Sequence, residues 1–244
     1  MSERKPCVLL IEDDLSLQRF VRAALEELPI KLIAVSSVDE GLAVLADTPV
    51  NLILTDLMMP GRSGFDLIDA LAADPVLRGN AKLAVFSAGL DPQVRRRLTR
   101  PDVWRLLLKP CSLLELEDCV RSALPIGDDI STTPGPAVVV DPAFNAIDVY
   151  FGGNAALYHA FRASCMTQFC ADITAGDDAI ATGTLPALRH LVHSLKSVLL
   201  TLGYPIDSEQ AMWLEKICEA GDARRASASW SVLRARLNIL IRTG

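Results

Sequence analysis

Five short apolar runs recur through the first half of the chain: VLLI from Val8, LIAV from Leu32, LILT from Leu52, LAVF from Leu83 and WRLLL from Trp104. Near-continuous apolarity over so short a run, in place of strict alternation, is what parallel strands show when helices cover both faces. The segments between them carry helical spacing, as in Leu17, Phe20, Val21, Ala24 and Leu25, or Leu67, Ala70 and Leu71. Strand and helix thus alternate five times. This order predicts an α/β domain built on an open, doubly wound, five-stranded parallel sheet with right-handed crossovers. Functional groups of such a sheet gather outside the carboxyl ends of its strands.

After Leu124 the pattern changes to PIGDDISTTPGP, a stretch of Pro, Gly, Ser, Thr and Asp with no apolar period. It predicts a linker over 126–140 between a first domain at 1–125 and a second at 141–244. From Asp141 onward strand-like runs disappear, and long helical patterns follow, broken near Gly152, Thr182, Gly203 and Gly221. Asn154 suits an N-cap, Thr184 can start a helix with Pro186 in its first turn, and Gly203 and Gly221 suit left-handed positions after helix ends. An all-α second domain, a small helical bundle, is the expectation.

Half of the residues are hydrophobic and 22% are charged, a balance that fits folded protein and argues against long disordered tracts. Lys and Arg total 24 against 30 Asp and Glu, and a net charge of -6 disfavours broad contact with nucleic acid or anionic lipid. Cys7, Cys111, Cys119, Cys165, Cys170 and Cys218 show neither CxxC pairs nor a zinc spacing, which predicts buried or free thiols. The start MSERKPC is not a signal peptide, and no run is apolar and long enough to span a bilayer. A reduced, soluble, cytoplasmic protein without membrane insertion is expected.

Glu12, Asp13 and Asp14 follow the first strand and Asp56 follows the third, so the fold brings four carboxylates towards one end of the sheet. Such crowding calls for a cation, and hard oxygen ligands with room for water suit Mg²⁺. With repulsion relieved, a carboxylate can act as a nucleophile towards phosphorus. Ser87 and Lys109 end the fourth and fifth strands and supply a hydroxyl and a compact cation for phosphoryl oxygens. Asp14 is read as a helix cap or solvated loop residue.

IEDD, LILTDLMMPGRSGFDL, VFSA and LLLKP, in this order, resemble the receiver domain of two-component response regulators over about residues 1–125. The resemblance implies a flavodoxin-like fold and phosphorylation of Asp56. It implies that Asp13 and Asp56 ligate Mg²⁺ directly, with Glu12 acting through water and the Met58 backbone carbonyl as a further ligand. Lys109 is implied to contact the phosphoryl group, and the Lys109–Pro110 peptide to be cis, as X-Pro bonds permit. Where many receivers carry an aromatic residue three places before the strand-five lysine, this chain has Leu106. Leu106 supplies no ligand or charge, so phosphorylation is expected to survive, and the change bears on how the outer face responds. Arg95, Arg96 and Arg97 are expected on a solvated helix surface, with docking to an acidic partner as the alternative.

In ALRHLVHSLKSVLLTLGY, Leu188, Val192, Leu195, Leu199 and Leu202 define a core-facing stripe. His190, His193, Ser197 and Thr201 also follow helical spacing, and Lys196 lies one turn beyond His193. This predicts an exposed His193 imidazole beside a cation, a nucleophile near neutral pH; His190 is read as a surface or core residue. HSLKS, Gly203 ten positions after His193, and WLEKICEAGD resemble a histidine-containing phosphotransfer domain over about residues 140–244. The resemblance implies a four-helix bundle, phosphorylation of His193 and phosphate stabilisation by Lys196. Ser197 stands where that family usually has Gly.

The expected protein is a phosphorelay component that accepts a phosphoryl group on Asp56 and exchanges phosphoryl groups through His193. Its partners would be a sensor histidine kinase or other receiver and phosphotransfer proteins. No kinase ATP motif is present. One rival is an interaction protein whose helical half only docks to partners. Another is an aspartate-nucleophile phosphatase, against which Asp56 is followed by Leu57, Met58 and Met59 without a DxD arrangement. A transcription factor is disfavoured by the absence of a basic helix-turn-helix pattern.

Overall fold

All five apolar runs form strands in the computed structural model, which describes residues 5–87, 92–124 and 146–243. They are β1 Cys7–Ile11, β2 Lys31–Val35, β3 Leu52–Thr55, β4 Lys82–Ser87 and β5 Arg105–Leu108. The strands make one parallel sheet in the order β2-β1-β3-β4-β5. β1 and β3 are buried along their whole length, which explains why their runs lack polar alternation. β2 and β5 are edge strands, half-exposed over most of their residues.

Six helices alternate with or follow the strands: α1 Leu15–Ala24, α2 Val38–Asp47, α3 Gly64–Ala73, α4 Pro75–Arg78, α5 Pro92–Leu98 and α6 Leu113–Ala123. Serines start three of them. Ser37 accepts from the Glu40 amide at α2, while Ser63 with Asp66 and Ser112 with Glu115 form reciprocal capping boxes at α3 and α6. The one-turn α4, not foreseen from the sequence, starts on the Asp74 side chain with Pro75 in its first turn. On one sheet face Leu9, Ile11, Ile53, Leu83 and Val85 pack with Val38, Leu67, Ile68 and Leu71 from the helices.

The chain divides into two compact units, the first carrying the sheet and the second the long helices. The expected linker over 126–140 and the boundaries at 125 and 141 lie outside the described residues. In the second half α7 Ala146–Phe151 precedes α8 Ala155–Thr182, α9 Leu185–Thr201, α10 Pro205–Glu219 and α11 Ala223–Thr243. α9 packs on α8 and α10, and α11 packs on the same two helices, closing a ring of four. Asn154 caps α8 through the Leu157 amide, and Gly203 and Gly221 hold the left-handed conformations that end α9 and α10. The Leu188, Val192, Leu195, Leu199 and Leu202 stripe is buried, as are Leu214 on α10 and Trp230, Leu233 and Leu237 on α11. Polar ties set the neighbours: Arg236 binds Asp207 through two bonds of 2.8 and 3.0 Å, and Trp230 donates to Asp177 at 2.9 Å.

Candidate functional site

The order β2-β1-β3 reverses direction at β1, and at that switch point the carboxyl ends of β1 and β3 open a crevice. Backbone bonds carry the ladder past the strand ends. The Glu12 amide donates to Val35 O at 3.1 Å, the Asp56 amide to Ile11 O at 3.0 Å and the Lys109 amide to Ser87 O at 2.8 Å. Glu12, Asp56, Ser87 and Lys109 are therefore fixed by the sheet itself and not by mobile loops. All four are buried.

Glu12, Asp13 and Asp56 each bring a carboxylate oxygen within 4.8 Å of the others. Lys109 Nζ donates to Glu12 Oε2 at 2.5 Å and to Asp56 Oδ2 at 2.8 Å, and lies 4.9 Å from the Phe86 ring centre. Burial works against the ammonium, but the Asp56 and Glu12 carboxylates outweigh it and raise its pKa above the ordinary lysine value. Asp56 Oδ1 accepts from the Leu57 and Met58 amides at 2.6 and 3.3 Å. Both oxygens of Asp56 thus have directed donors. The turn after Asp56 is tight because α3 begins against it: a Cβ on Gly64 would sit 2.1 Å from Asp56 O.

Of the four carboxylates expected at this end, three converge. Asp14 instead caps the start of α1, where its Oδ1 accepts from the Ser16 and Leu17 amides at 2.8 and 3.1 Å. Three carboxylates against one ammonium leave an excess of negative charge in a buried place, and hard oxygen donors at this spacing suit a divalent cation such as Mg²⁺. Ser87 ends β4 opposite Leu108 of β5. The Lys109–Pro110 peptide is cis. Leu106 is half-buried and packs on the core, and Arg96 and Arg97 are exposed, with the Arg97 guanidinium 3.8 Å over the Phe65 ring centre. The Arg95 side chain lies outside the described residues.

The six cysteines are free, and only Cys170 is exposed. Burial pushes the Cys119 thiol up to about 11, so it stays an inert thiol at neutral pH.

In the second unit His193 is not exposed as its sequence context predicts; it keeps 6% of its surface. Nδ1 lies 2.6 Å from Glu215 Oε1, so a carboxylate on α10 replaces water at that edge of the ring. Nε2 is buried and makes no hydrogen bond among the described residues. Lys196, one turn beyond, places Nζ 2.8 Å from Glu215 Oε2. Burial alone would raise the Glu215 carboxyl; the hydrogen bonds from His193 and Lys196 outweigh it and hold its pKa down at about 2. Ser197 is buried, and Lys196 O accepts from Ser208 Oγ at 2.7 Å, a second link between α9 and α10. Glu215 was not singled out in the sequence, where it sits in WLEKICE on another helix; only the packing of α10 on α9 brings it to His193.

A family model for the response regulator receiver domain matches residues 8–121. The chain is 32% identical over 114 residues to the two-component response regulator ORR12 of Oryza sativa subsp. japonica, a match covering 46% of this chain and 92% of that protein. It is also 32% identical over 112 residues to hybrid signal transduction histidine kinase D of Dictyostelium discoideum, covering 46% of this chain and 7% of the kinase. The hydrogenase transcriptional regulatory protein HoxA of Cupriavidus necator is 29% identical, and the match covers 51% of this chain and 25% of that protein. The chain thus spans well under two thirds of these last two relatives. A solved response regulator receiver protein from Pseudomonas putida is 26% identical, with a TM-score of 0.45, over 48% of this chain and 97% of that one. Through the sheet that carries Asp56 and Lys109, the chain belongs to the response regulator receiver family.

Proposed function

We propose that the protein is a phosphorelay component, a receiver joined to a histidine phosphotransfer bundle, that takes up a phosphoryl group on Asp56 and exchanges phosphoryl groups through His193. The observation that carries this reading is the buried Asp56 carboxylate held between two backbone amides and Lys109, with Glu12 and Asp13 beside it. Asp13, Asp56 and the Met58 carbonyl would hold Mg²⁺, with Glu12 acting through water. When bound, the ion neutralises charge on the acids and on the incoming phosphoryl oxygens.

The donor is a phosphohistidine on a sensor kinase or phosphotransfer protein. An Asp56 oxygen attacks phosphorus in line; the P–N bond breaks and its electron pair returns to the imidazole nitrogen. Lys109 moves from the carboxylates towards the transferred oxygens, and Ser87 donates to another of them. Positioning and charge do the work, because nothing needs to be deprotonated first.

For the helical half the support is His193 with a cation one turn away, a nucleophilic nitrogen left without a hydrogen bond and a ring of four helices around an apolar core. Transfer requires Nε2 to face phosphorus, so His193 reacts from a state in which that edge is open to a partner. The second reading, a bundle that only docks, is favoured by the burial of the ring. No helix among the described residues is long and apolar enough to cross a membrane, and we place the protein in the cytoplasm with its kinase partners.

Incubation with acetyl phosphate is expected to form an acyl phosphate on Asp56 that depends on Mg²⁺. Chelation with EDTA should lower its rate by roughly a hundredfold. Labelling at the same rate in EDTA contradicts the metal assignment.

A further inference from the structure

We propose that Ser197 and Arg189, one turn on either side of His193, are the donors that hold the oxygens of a phosphoryl group on Nε2. The proposal rests on the phosphotransfer reading of His193 and adds two substrate-contacting residues to that site. Among the described residues, three buried side-chain polar atoms of α9 make no hydrogen bond: Arg189 Nε, His193 Nε2 and Ser197 Oγ. They fall four residues apart on one stripe of the helix, where neighbouring Cβ atoms are about 5–6 Å apart. Two donors therefore flank one nucleophilic acceptor. The stripe faces α10, since Arg189 Nη2 donates to Glu219 Oε1 at 2.9 Å and His193 Nδ1 lies 2.6 Å from Glu215 Oε1. Those contacts anchor the guanidinium and the ring and leave Nε and Nε2 over.

Ser197 is the more telling of the two. A helical hydroxyl ordinarily donates to the carbonyl four residues back. Thr167, Thr174, Thr182, Thr201, Ser231 and Thr243 all do so in the second half of this chain, at 2.8–3.2 Å. Ser197 does not, although it is only 3% exposed. A buried hydroxyl without an acceptor is costly, and an alanine would fill the same place without that cost. A helical side chain leans towards the helix N-terminus, which tilts Ser197 towards His193. An oxygen that arrives with the phosphoryl group supplies the missing acceptor.

Neither donor gives up a proton. Nε2 forms the P–N bond while the P–O bond to an aspartyl carboxylate breaks, and the carboxylate departs with the electron pair. Ser197 and Arg189 keep their protons and donate to the phosphoryl oxygens in the transition state and afterwards on the phosphohistidine. These bonds go to a charged group and exist only once phosphorus is on the ring, so they stabilise phosphohistidine relative to the free imidazole.

The test uses the full Asp56→Asn chain, which confines label to histidine, with phosphoramidate as the phosphodonor. Nε2 displaces ammonia from phosphorus, so in excess ammonium the ratio of phosphorylated to free His193 measures the stability of the phosphohistidine without any receiver. His193→Gln in the same background subtracts label on His159 and His190. ³¹P spectra and intact mass read the ratio, and calorimetry reads the fold. Ser197→Ala and Arg189→Gln should each lower the ratio roughly five- to tenfold. The Ser197→Ala melting temperature should equal or exceed that of the parent, since an unpaired buried hydroxyl is lost. Glu219→Gln, which disturbs only the outer tie of Arg189, should leave the ratio within about twofold. An unchanged ratio in Ser197→Ala or Arg189→Gln overturns the proposal. So does a fall in Ser197→Ala that comes with a lowered melting temperature, or a fall in Glu219→Gln as large as that in Arg189→Gln. If His193 of the parent takes up no phosphoryl group from phosphoramidate or from any phosphorylated receiver, the phosphotransfer reading itself fails, and the two donors fall with it.

Discussion

The Asp56→Asn protein is expected to form acyl phosphate at least roughly a thousandfold more slowly than wild type, which is the scale of losing a nucleophile. An amide oxygen has no negative charge to attack phosphorus, and no neighbouring carboxylate is an equivalent substitute. Glu12 is bound by Lys109, Asp14 is used in capping α1, and it is Asp56 and not Asp13 that the Leu57 and Met58 amides hold. Folding should be retained, because Asn offers the same Oδ1 to the Leu57 and Met58 amides, and Lys109, which the Asn Nδ2 cannot accept from, keeps its bond to Glu12. Mass spectrometry after borohydride trapping of the acyl phosphate reads the result, with circular dichroism as the control for folding. Wild-type levels of trapped product at another acid in the folded variant would displace Asp56 as the acceptor.

The second large effect is on stability. Lys109→Met should destabilise the sheet unit by about 3–5 kcal/mol in the absence of divalent cations, the usual cost of leaving buried charge without its counter-ion. Glu12 and Asp56 are 0% and 2% exposed, so water cannot take over from the ammonium. For a unit of this size the melting temperature should fall by on the order of 10–20 °C in calorimetry. Millimolar Mg²⁺ should restore much of the loss, because binding to the folded state alone adds stability by mass action. The wild-type protein, which already has a cation there, should gain less. A variant that melts with wild type, or that gains nothing from Mg²⁺, would show that the acids are not held together by charge.

Much of the receiver was legible because local patterns and the fold point the same way. Each apolar run is a strand, and the rule that groups gather beyond the carboxyl ends of a parallel sheet places Glu12, Asp13, Asp56, Ser87 and Lys109 at one end from the order of elements alone. What the pattern could not supply is pairing at long range. Lys109 meets Glu12 across 97 positions, and nothing around either residue indicates that the ammonium bridges two carboxylates. Asp14 looks like its neighbours in EDD, but the chain turns into α1 there and its side chain serves the helix start. The edge character of β2 was hidden because LIAV is as apolar as the central strands while most of it is half-exposed.

The second half divides the same way. The leucine stripe of α9 and the breaks at Gly203 and Gly221 follow from sequence, since helical period and left-handed turn chemistry are local. The burial of His193 does not, because a periodicity reading assigns a face and not what covers it. Glu215 was beyond such a reading for the same reason: its partner is 22 positions away on another helix. The α4 turn, by contrast, has a local signal in Asp74 and Pro75, an N-cap residue followed by proline, but one turn is too short to show a helical period.

The relay is tested most directly by following one phosphoryl group. Asp56 is loaded in a His193→Gln chain, the donor is removed, and this chain is mixed with an Asp56→Asn chain that retains His193; acid- and base-stability and mass spectrometry then locate the label. Label is expected to leave Asp56 and appear on His193 of the second chain as an acid-labile, base-stable phosphoramidate. It is also expected on His193 of wild type loaded by itself or by a partner receiver. Label that stays on Asp56 until it is hydrolysed, with His193 unmodified in every chain and with every donor receiver, would contradict the relay.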